Sequence, residues 1–337
     1  GYPRKLEFKD YMDRYQRGGI AERICDAFPR ATWAGGASIE EDPDPETETK
    51  FEKAVFELFD RLDIWARFLR ADILAGIGRY SVILIGVKEP RTGDNLLEPF
   101  AKEMPRLKSQ EDILFLTPIP EDRATILEWE DDTTSPRCGL PKFYSLKIKD
   151  NIVRKTHWSR VLHVAPDLLE DEVFGRPRLR ACWNYLDDLD KIIGGGAEAA
   201  WKRMDPGLQL DLDPELELTK EEEAALRDEV DEYQHGVRRI MKTRGVKMNV
   251  LSASAQGFGA NADSIIQLIA ATSGTPHRIL TGSERGELAS SQDRDNWGDR
   301  IAERRREFAV PLVGRFVDRC IEYGALPEPE WYEVVWP

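Results

Sequence analysis

From Lys9 to Phe28, the apolar residues Tyr11, Tyr15, Ile20, Ile24 and Phe28 recur at helical steps. The pattern predicts one helix, stopped by Pro29. Residues Ala34 to Thr49 are rich in Gly, Asp, Glu and Pro and read as a surface loop. A longer helix is expected from Glu52 to about Gly76. Its wide apolar face (Val55, Phe56, Phe59, Leu62, Ile64, Trp65, Phe68, Leu69) suits burial on more than one side. Tyr80 to Val87 then reads as a strand buried on both faces. Ile113–Thr117, Thr125–Trp129, Phe143–Ile148 and Val161–Val164 are further short strands between Pro, Gly and Asp punctuation. The first 175 or so residues are thus mixed α+β.

Helical periodicity returns from Arg178 to Met204 through Leu179, Trp183, Leu186, Leu189, Ile193 and Trp201. Gly194-Gly195-Gly196 interrupts it, and each glycine costs about 1 kcal/mol inside a helix. A close backbone neighbour, a hinge or a plain kink would each account for them. After Pro206, Leu208–Leu212 alternates like a strand. Thr219 and Glu222 form a capping box for a helix running to about His235, and Gly245–Leu251 reads as a second strand, giving β-α-β. That helix carries Glu221, Glu222, Glu223, Asp228, Glu229, Asp231 and Glu232 against Lys220 and Arg227, which reads as a solvated face or as a charged docking surface. Asn261 caps another helix that ends near Gly274-Thr275-Pro276. His277 to Ser291 reads as a long loop, a feature usually functional or disordered in a compact domain. A final helix is expected from Gln292 to about Tyr323, kinked by Pro311, with a strand at Trp331–Trp336.

The chain has 337 residues, 48 Lys+Arg against 62 Asp+Glu, and a net charge of −14. A protein that grips DNA phosphates carries the opposite sign, so the balance argues against tight DNA binding. It is compatible with an ordinary acidic protein, or with a lumen that repels DNA and lets it slide. The four cysteines, Cys25, Cys138, Cys182 and Cys320, are scattered without metal or disulfide spacing, and a reducing compartment is the default expectation. No signal-peptide pattern is visible, and the most apolar run is far short of the ~20 residues of a spanning helix, so no membrane partner is expected.

Catalytic signatures are missing. The chain contains no Gly-Lys dipeptide and hence no Walker A motif, and no H-E-x-x-H or G-x-S-x-G. Gly76-x-Gly78 lacks the third glycine of a dinucleotide fingerprint and precedes a strand instead of following one. His157 and His163 stand six apart with no third metal ligand. No catalytic residue, metal site or cofactor is assigned.

The order of parts from residue 178 onward resembles the portal fold of tailed bacteriophages. Several stretches carry the likeness. Tyr15-x-Arg17-x-Gly19-Ile20-Ala21-x-Arg23-Ile24-x-Asp26 is similar to an N-terminal family stretch. Trp158-Ser159-Arg160-Val161-Leu162-His163 resembles a strand reading S-R-v-i-H. Phe174-Gly175-x-Pro177-x-Leu179 resembles the G-x-S-x-L approach to a stem helix. Ser273-Gly274-Thr275-Pro276 through Leu280-Thr281-Gly282 is similar to f-G-I-P-x-x-x-L-x-G. Ala289-Ser290-Ser291 through Asp295-Asn296-Trp297 matches a small-residue stretch followed by D-x-x-N-w/y. Thr275 stands where the family has Ile or Val, and Ser273 where it has an aromatic residue.

The resemblance implies an α+β portal fold. It comprises a wing (1–177), a first stem helix (178–204), a clip (205–255), a second stem helix (256–275), a tunnel loop (276–291), and a wing helix with a C-terminal strand (292–337). The helical crown that portals carry beyond this point is expected to be missing. The resemblance also implies a ring, usually of twelve subunits, at a capsid vertex of the virion, assembled in the host cytoplasm. Double-stranded DNA would pass through it in packaging and ejection. Its partners would be the terminase large subunit, the head–tail adaptor, and the major capsid and scaffolding proteins. Contacts to DNA would come from His277, Arg278, Ile279, Leu280, Arg285 and Glu287. Motor and adaptor docking would use Glu221, Glu222, Asp228, Glu229, Asp231 and Glu232. The chain itself would be no enzyme. Two other classes stay open on the residues alone: a DNA-processing enzyme such as a nuclease or nucleotide hydrolase, and a non-portal scaffold or adaptor.

Overall fold

A computed structural model describes residues 2–42, 49–89, 99–149, 152–204, 207–212, 219–235, 246–251, 258–282 and 287–337. Two helices, α1 (Phe8–Gln16) and α2 (Ile20–Trp33), replace the single one expected over Lys9–Phe28. Gly18 and Gly19 divide them with φ of 77° and 70°, a backbone region that side chains disfavour. Pro29 does not stop α2 but lies inside it. Lacking an N–H, Pro29 leaves the Cys25 carbonyl without its helical donor. The Arg178 guanidinium takes that place, its Nη1 donating to the carbonyl at 3.0 Å.

The expected surface loop contains a short strand, β1 (Ser38–Glu40). The long helix read from Glu52 to Gly76 is also two, α3 (Lys50–Leu62) and α4 (Ile64–Ile77), because Asp63 turns the chain in the left-handed region (φ 50°, ψ 54°). A capping box starts α3: the Glu52 amide donates to Thr49 Oγ1 (3.1 Å) and the Thr49 amide to Glu52 Oε2 (2.9 Å).

Strands β2 (Ser81–Val87), β3 (Ile113–Pro120), β4 (Ala124–Trp129), β5 (Pro141–Lys149), β6 (Ile152–His157) and β7 (Val161–Val164) follow. They form two antiparallel three-stranded sheets, ordered β3-β2-β7 and β4-β5-β6. The short, polar β6 is absent from the periodicity and exists through its ladder to β5. Strand β2, apolar from Val82 to Val87, is buried on both faces, as its composition requires. Ile83 and Ile85 join the helical core with Phe68 and Phe316, while Val82 and Leu84 join a second core with Tyr144 and Leu146.

The helix α5 (Trp183–Met204) runs unbroken through Gly194–Gly196. Strands β8 (Gly207–Leu212) and β9 (Val246–Leu251) pair antiparallel, with α6 (Lys220–Gln234) between them in sequence. The helix α7 (Phe258–Ser273) follows. The stretch read as a loop over His277–Ser291 instead contains a short helix, α8 (His277–Thr281), and the start of α9 (Glu287–Arg304). The final helix is divided: α9 passes through a π-helical turn at Arg305–Ala309 into α10 (Val310–Glu322). The turn lies immediately before the first residues of α10, where Pro311 is tolerated. Strand β10 (Glu333–Val335) closes the chain by pairing with β1. Residues 1–186 with 266–337 form one unit, and 187–265 a second.

One buried carboxylate ties the larger unit together. Asp72 of α4 is fully buried. It accepts from Trp33 Nε1 (2.9 Å), from Arg178 Nη2 (2.9 Å), and from Arg304 through Nη1 (2.8 Å) and Nη2 (2.7 Å). Arg304 also reaches Thr32 Oγ1 at 2.7 Å. Burial alone would raise the Asp72 pKa, but Arg304 and then Arg178 outweigh it and hold the carboxyl below its usual value. Arg178 gets there because Gly76 has no Cβ: one placed there would overlap the guanidinium.

Removing one member of a buried ion cluster strands the others, at a cost of about 3–5 kcal/mol. D72N is therefore expected to lower unfolding free energy by about that amount in urea denaturation. A loss below ~1 kcal/mol would mean that apolar packing alone holds these helices.

Candidate functional site

The family-like stretches named from the sequence fall at joints of the larger unit. In the N-terminal stretch, Asp26 accepts from Tyr15 Oη (3.0 Å) and from Arg30 Nε (2.7 Å), fastening α1 to α2. In the Ser159–His163 stretch, Ser159 Oγ accepts from the Met104 amide (2.8 Å), and Arg160 Nε donates to the Lys102 carbonyl (2.9 Å) while its Nη1 pairs with Glu89 (2.5 Å). His163 Nε2 donates to the Val173 carbonyl (2.8 Å), so its Nδ1 accepts from Tyr144 Oη (3.2 Å). Burial lowers the His163 pKa to about 4, which keeps the ring neutral and structural. In the stretch before α5, the Gly175 amide donates to the Arg79 carbonyl and the Arg178 amide to the Gly76 carbonyl, both at 2.8 Å.

The turn after α7 is built the same way. Gly274 (φ 69°) ends the helix, and Arg300 of α9 donates to its carbonyl. Thr275 is buried, and its amide reaches Ser273 Oγ at 3.3 Å. Pro276 then starts α8, which ends at Gly282 (φ 69°), whose amide N–H donates to the Arg278 carbonyl (2.8 Å). Trp297, from the last of the family-like stretches, packs its ring against Phe28, tilted by 47° with centroids 4.6 Å apart.

Of the residues expected to face DNA, His277, Arg278 and Ile279 are half-buried on α8. Leu280 is buried, and α8 packs on α2, so Leu280 anchors the segment and is withdrawn as a DNA contact. Arg285 lies outside the described residues, and Glu287 is the first residue of α9. On α6 the side chains of Glu221, Glu222, Asp228, Asp231 and Glu232 are exposed, and Glu229 is half-buried. Hydrogen bonds from Thr219 hold the Glu222 carboxyl below its usual pKa.

The charged hub is what sequence reasoning missed. Its signal was a lone carboxylate, Asp72, one turn from Phe68 and from Gly76 on an otherwise apolar helix face. Among the described residues, no group of His, Cys, Asp and Glu could hold a metal ion, and no helix is long and apolar enough to cross a membrane.

Comparison with known proteins reads this arrangement as a whole. Residues 9–337 match the model of a family described as phage portal protein. The chain belongs to the phage portal family. Its portal fold recurs in the neck of an empty gene transfer agent (GTA) particle computed with C6 symmetry, at TM-score 0.65 and 13% identity over 98% of this chain and 84% of that one. The virion of a native gene transfer agent particle gives 0.63 at 13% identity, over 98% and 84% of the two chains. The neck of a native GTA particle computed with C12 symmetry gives 0.61 at 13% identity, over 97% and 83%. A search of the curated proteins returns no match.

The Thr275 hydroxyl is buried without a hydrogen-bond partner among the described residues. Removing an unsatisfied buried hydroxyl returns about 1–2 kcal/mol. T275V is therefore expected to raise unfolding free energy by about 1 kcal/mol in urea, and a loss of stability would show that the hydroxyl is satisfied.

Proposed function

We propose that this chain is one subunit of a closed ring of twelve that forms the DNA channel at a capsid vertex of a virion. The observation that carries the reading is the family match over residues 9–337. A ring of identical subunits needs one surface to meet a different surface of the next copy, and the chain has uncovered apolar side chains suited to that. On α5, Trp201 is 72% exposed and Ile193 55%, and on α7 Leu268 is 49% exposed. The count of twelve follows the C12 symmetry used for the native GTA neck.

In this reading α5 and α7 are stem helices that wall the channel, and residues 205–255 are the clip. The exposed carboxylates of α6 dock first the terminase large subunit and then the head–tail adaptor, because charged, steered contacts exchange readily. Major capsid and scaffolding proteins surround the wing. The segment 276–291 borders the channel at its narrowest place, where His277, Arg278, Ile279, Arg285 and Glu287 approach double-stranded DNA during packaging and ejection. With a net charge of −14 on each subunit, the ring passes DNA without gripping it. Hydrolysis of ATP belongs to the motor, and the chain catalyses nothing.

Native mass measurement with negative-stain imaging is expected to show rings with a central hole; a monomer or dimer under assembly-permissive conditions overturns the proposal. Deleting residues 278–287 is expected to leave rings intact while lowering DNA retention in assembled particles. Loss of the rings would make that segment a subunit contact.

A further inference from the structure

The helix α4 is apolar on two sides. Its inner face, with Ile64, Phe68 and Ala75, lies in the core. A second stripe, Leu69, Ile73 and Leu74, keeps helical spacing on the outer side and is only half-buried. A helix that is apolar all round belongs in an interior. Here the outer stripe lines an open groove of about 280 Å³ against α1, with Met12 on its far wall. The charged side chains at this groove are Arg30 and Arg70, and no carboxylate among the described residues lines it. Arg30 pairs with Asp26 while staying 61% exposed. The exposed Arg70 has no partner among the described residues.

The same unit carries a loop of the opposite character, residues 166–175 between β7 and α5. Its ends touch: a Cβ on Gly175 would overlap the Pro166 carbonyl. Pro166 and Val173 are buried at its base. His163 Nε2 donates to the Val173 carbonyl (2.8 Å), and Asp171 accepts from the Val173 (2.6 Å) and Phe174 (3.2 Å) amides. Between these fastened ends runs Asp167-Leu168-Leu169-Glu170-Asp171-Glu172, with Asp167 in the left-handed region (φ 57°). Leu168 is 48% exposed and Leu169 67%. Glu170 and Glu172 are exposed and have no partner among the described residues. Loops closed at the base in this way are compact surface elements that frequently carry function.

Groove and loop complement each other. The loop offers two leucines beside carboxylates with no cation between residues 167 and 172, and the groove offers aliphatic walls beside arginines. At about 280 Å³ the groove falls below the ~300–1,000 Å³ usual for small-molecule sites, and it suits side chains. No residue of the loop lines the groove of its own chain, so the two are separate surfaces, as a head-to-tail contact requires. Other uncovered apolar side chains match less well. Phe56 itself lines a groove, and Ile152 and Val153 stand beside Arg154 and Lys155, which Arg30 and Arg70 would repel. We propose that Leu168 and Leu169 of one copy seat in the α1–α4 groove of a second copy, where Glu170 and Glu172 meet Arg30 and Arg70. The inference rests on the ring reading and names two surfaces that join one subunit to the next.

The test changes exposed side chains on both surfaces of the full chain and follows ring formation by sedimentation velocity. L168S/L169S, E170R/E172R and R70E are each expected to raise the concentration needed for rings by about tenfold or more, with an unchanged thermal midpoint. R70K is expected to keep the rings. Combining R70E with E170R/E172R in one chain is expected to recover rings relative to either parent, because every loop then meets a groove of exchanged charge. The variants lie on two surfaces, so a shifted midpoint in one leaves the others to decide. Rings of L168S/L169S at the wild-type concentration overturn the inference, and so does a combined variant no better than its parents. Loss of rings in L168S/L169S with R70E unaffected would seat the leucines elsewhere and overturn the inference while the ring reading stands. A wild-type chain that forms no rings overturns both together.

Discussion

The larger unit depends on how one buried negative charge is satisfied. Asp72 has room for about four hydrogen bonds as a carboxylate, and Trp33, Arg178 and Arg304 supply four. These donors come from α2, from the segment leading into α5, and from the end of α9. Separately, each arginine would be an expensive charge to bury; together with Asp72 they fix the mutual positions of three distant stretches of sequence. Apolar packing is non-directional and would tolerate a slip of one helix along another. A carboxylate shared by two forked cations does not.

The same constraint explains two residues that look unfavourable alone. Pro29 inside α2 sacrifices a helical hydrogen bond, yet the carbonyl it frees is where Arg178 is held. Gly76 inside α4 weakens the helix, yet only its bare Cα lets the guanidinium pass. Arg305, next to Arg304 and at the start of the π-helical turn, donates to the Thr32 (3.0 Å) and Ala34 (2.9 Å) carbonyls at the end of α2. That helix end is thus satisfied by side chains from the far end of the chain.

How much of this could be read from the sequence follows from the range of each force. Strand β2 was legible because burial on both faces demands an unbroken apolar run. The capping box at Thr219 was legible because it is complete within four residues. Asp63 was not, because a single left-handed residue leaves the apolar period on either side intact. Nor was α8, whose five residues are too few to show a period and which packs on a helix more than two hundred residues away. The family-like stretches were legible as motifs, but their purpose as joints was not. The Met104 partner of Ser159 lies 55 residues away, and the Cys25 partner of Arg178 lies 153 away.

The glycine run in α5 shows where the single chain stops accounting for itself. Three consecutive glycines in a helix interior cost about 3 kcal/mol relative to alanine. Close packing against a neighbouring backbone would offset that, but a Cβ built on Gly194 or Gly195 meets no atom within 4 Å. Among the described residues, nothing beside Gly194 or Gly195 requires them to be small. Here α5 resists bending least, because glycine gives up the most conformational freedom in staying helical. It is also flanked by Ile193 and Trp201, whose apolar surfaces the chain leaves uncovered. A stretch both easily bent and apolar can follow the shape of whatever covers it, which a rigid alanine-rich helix in the same place could not do.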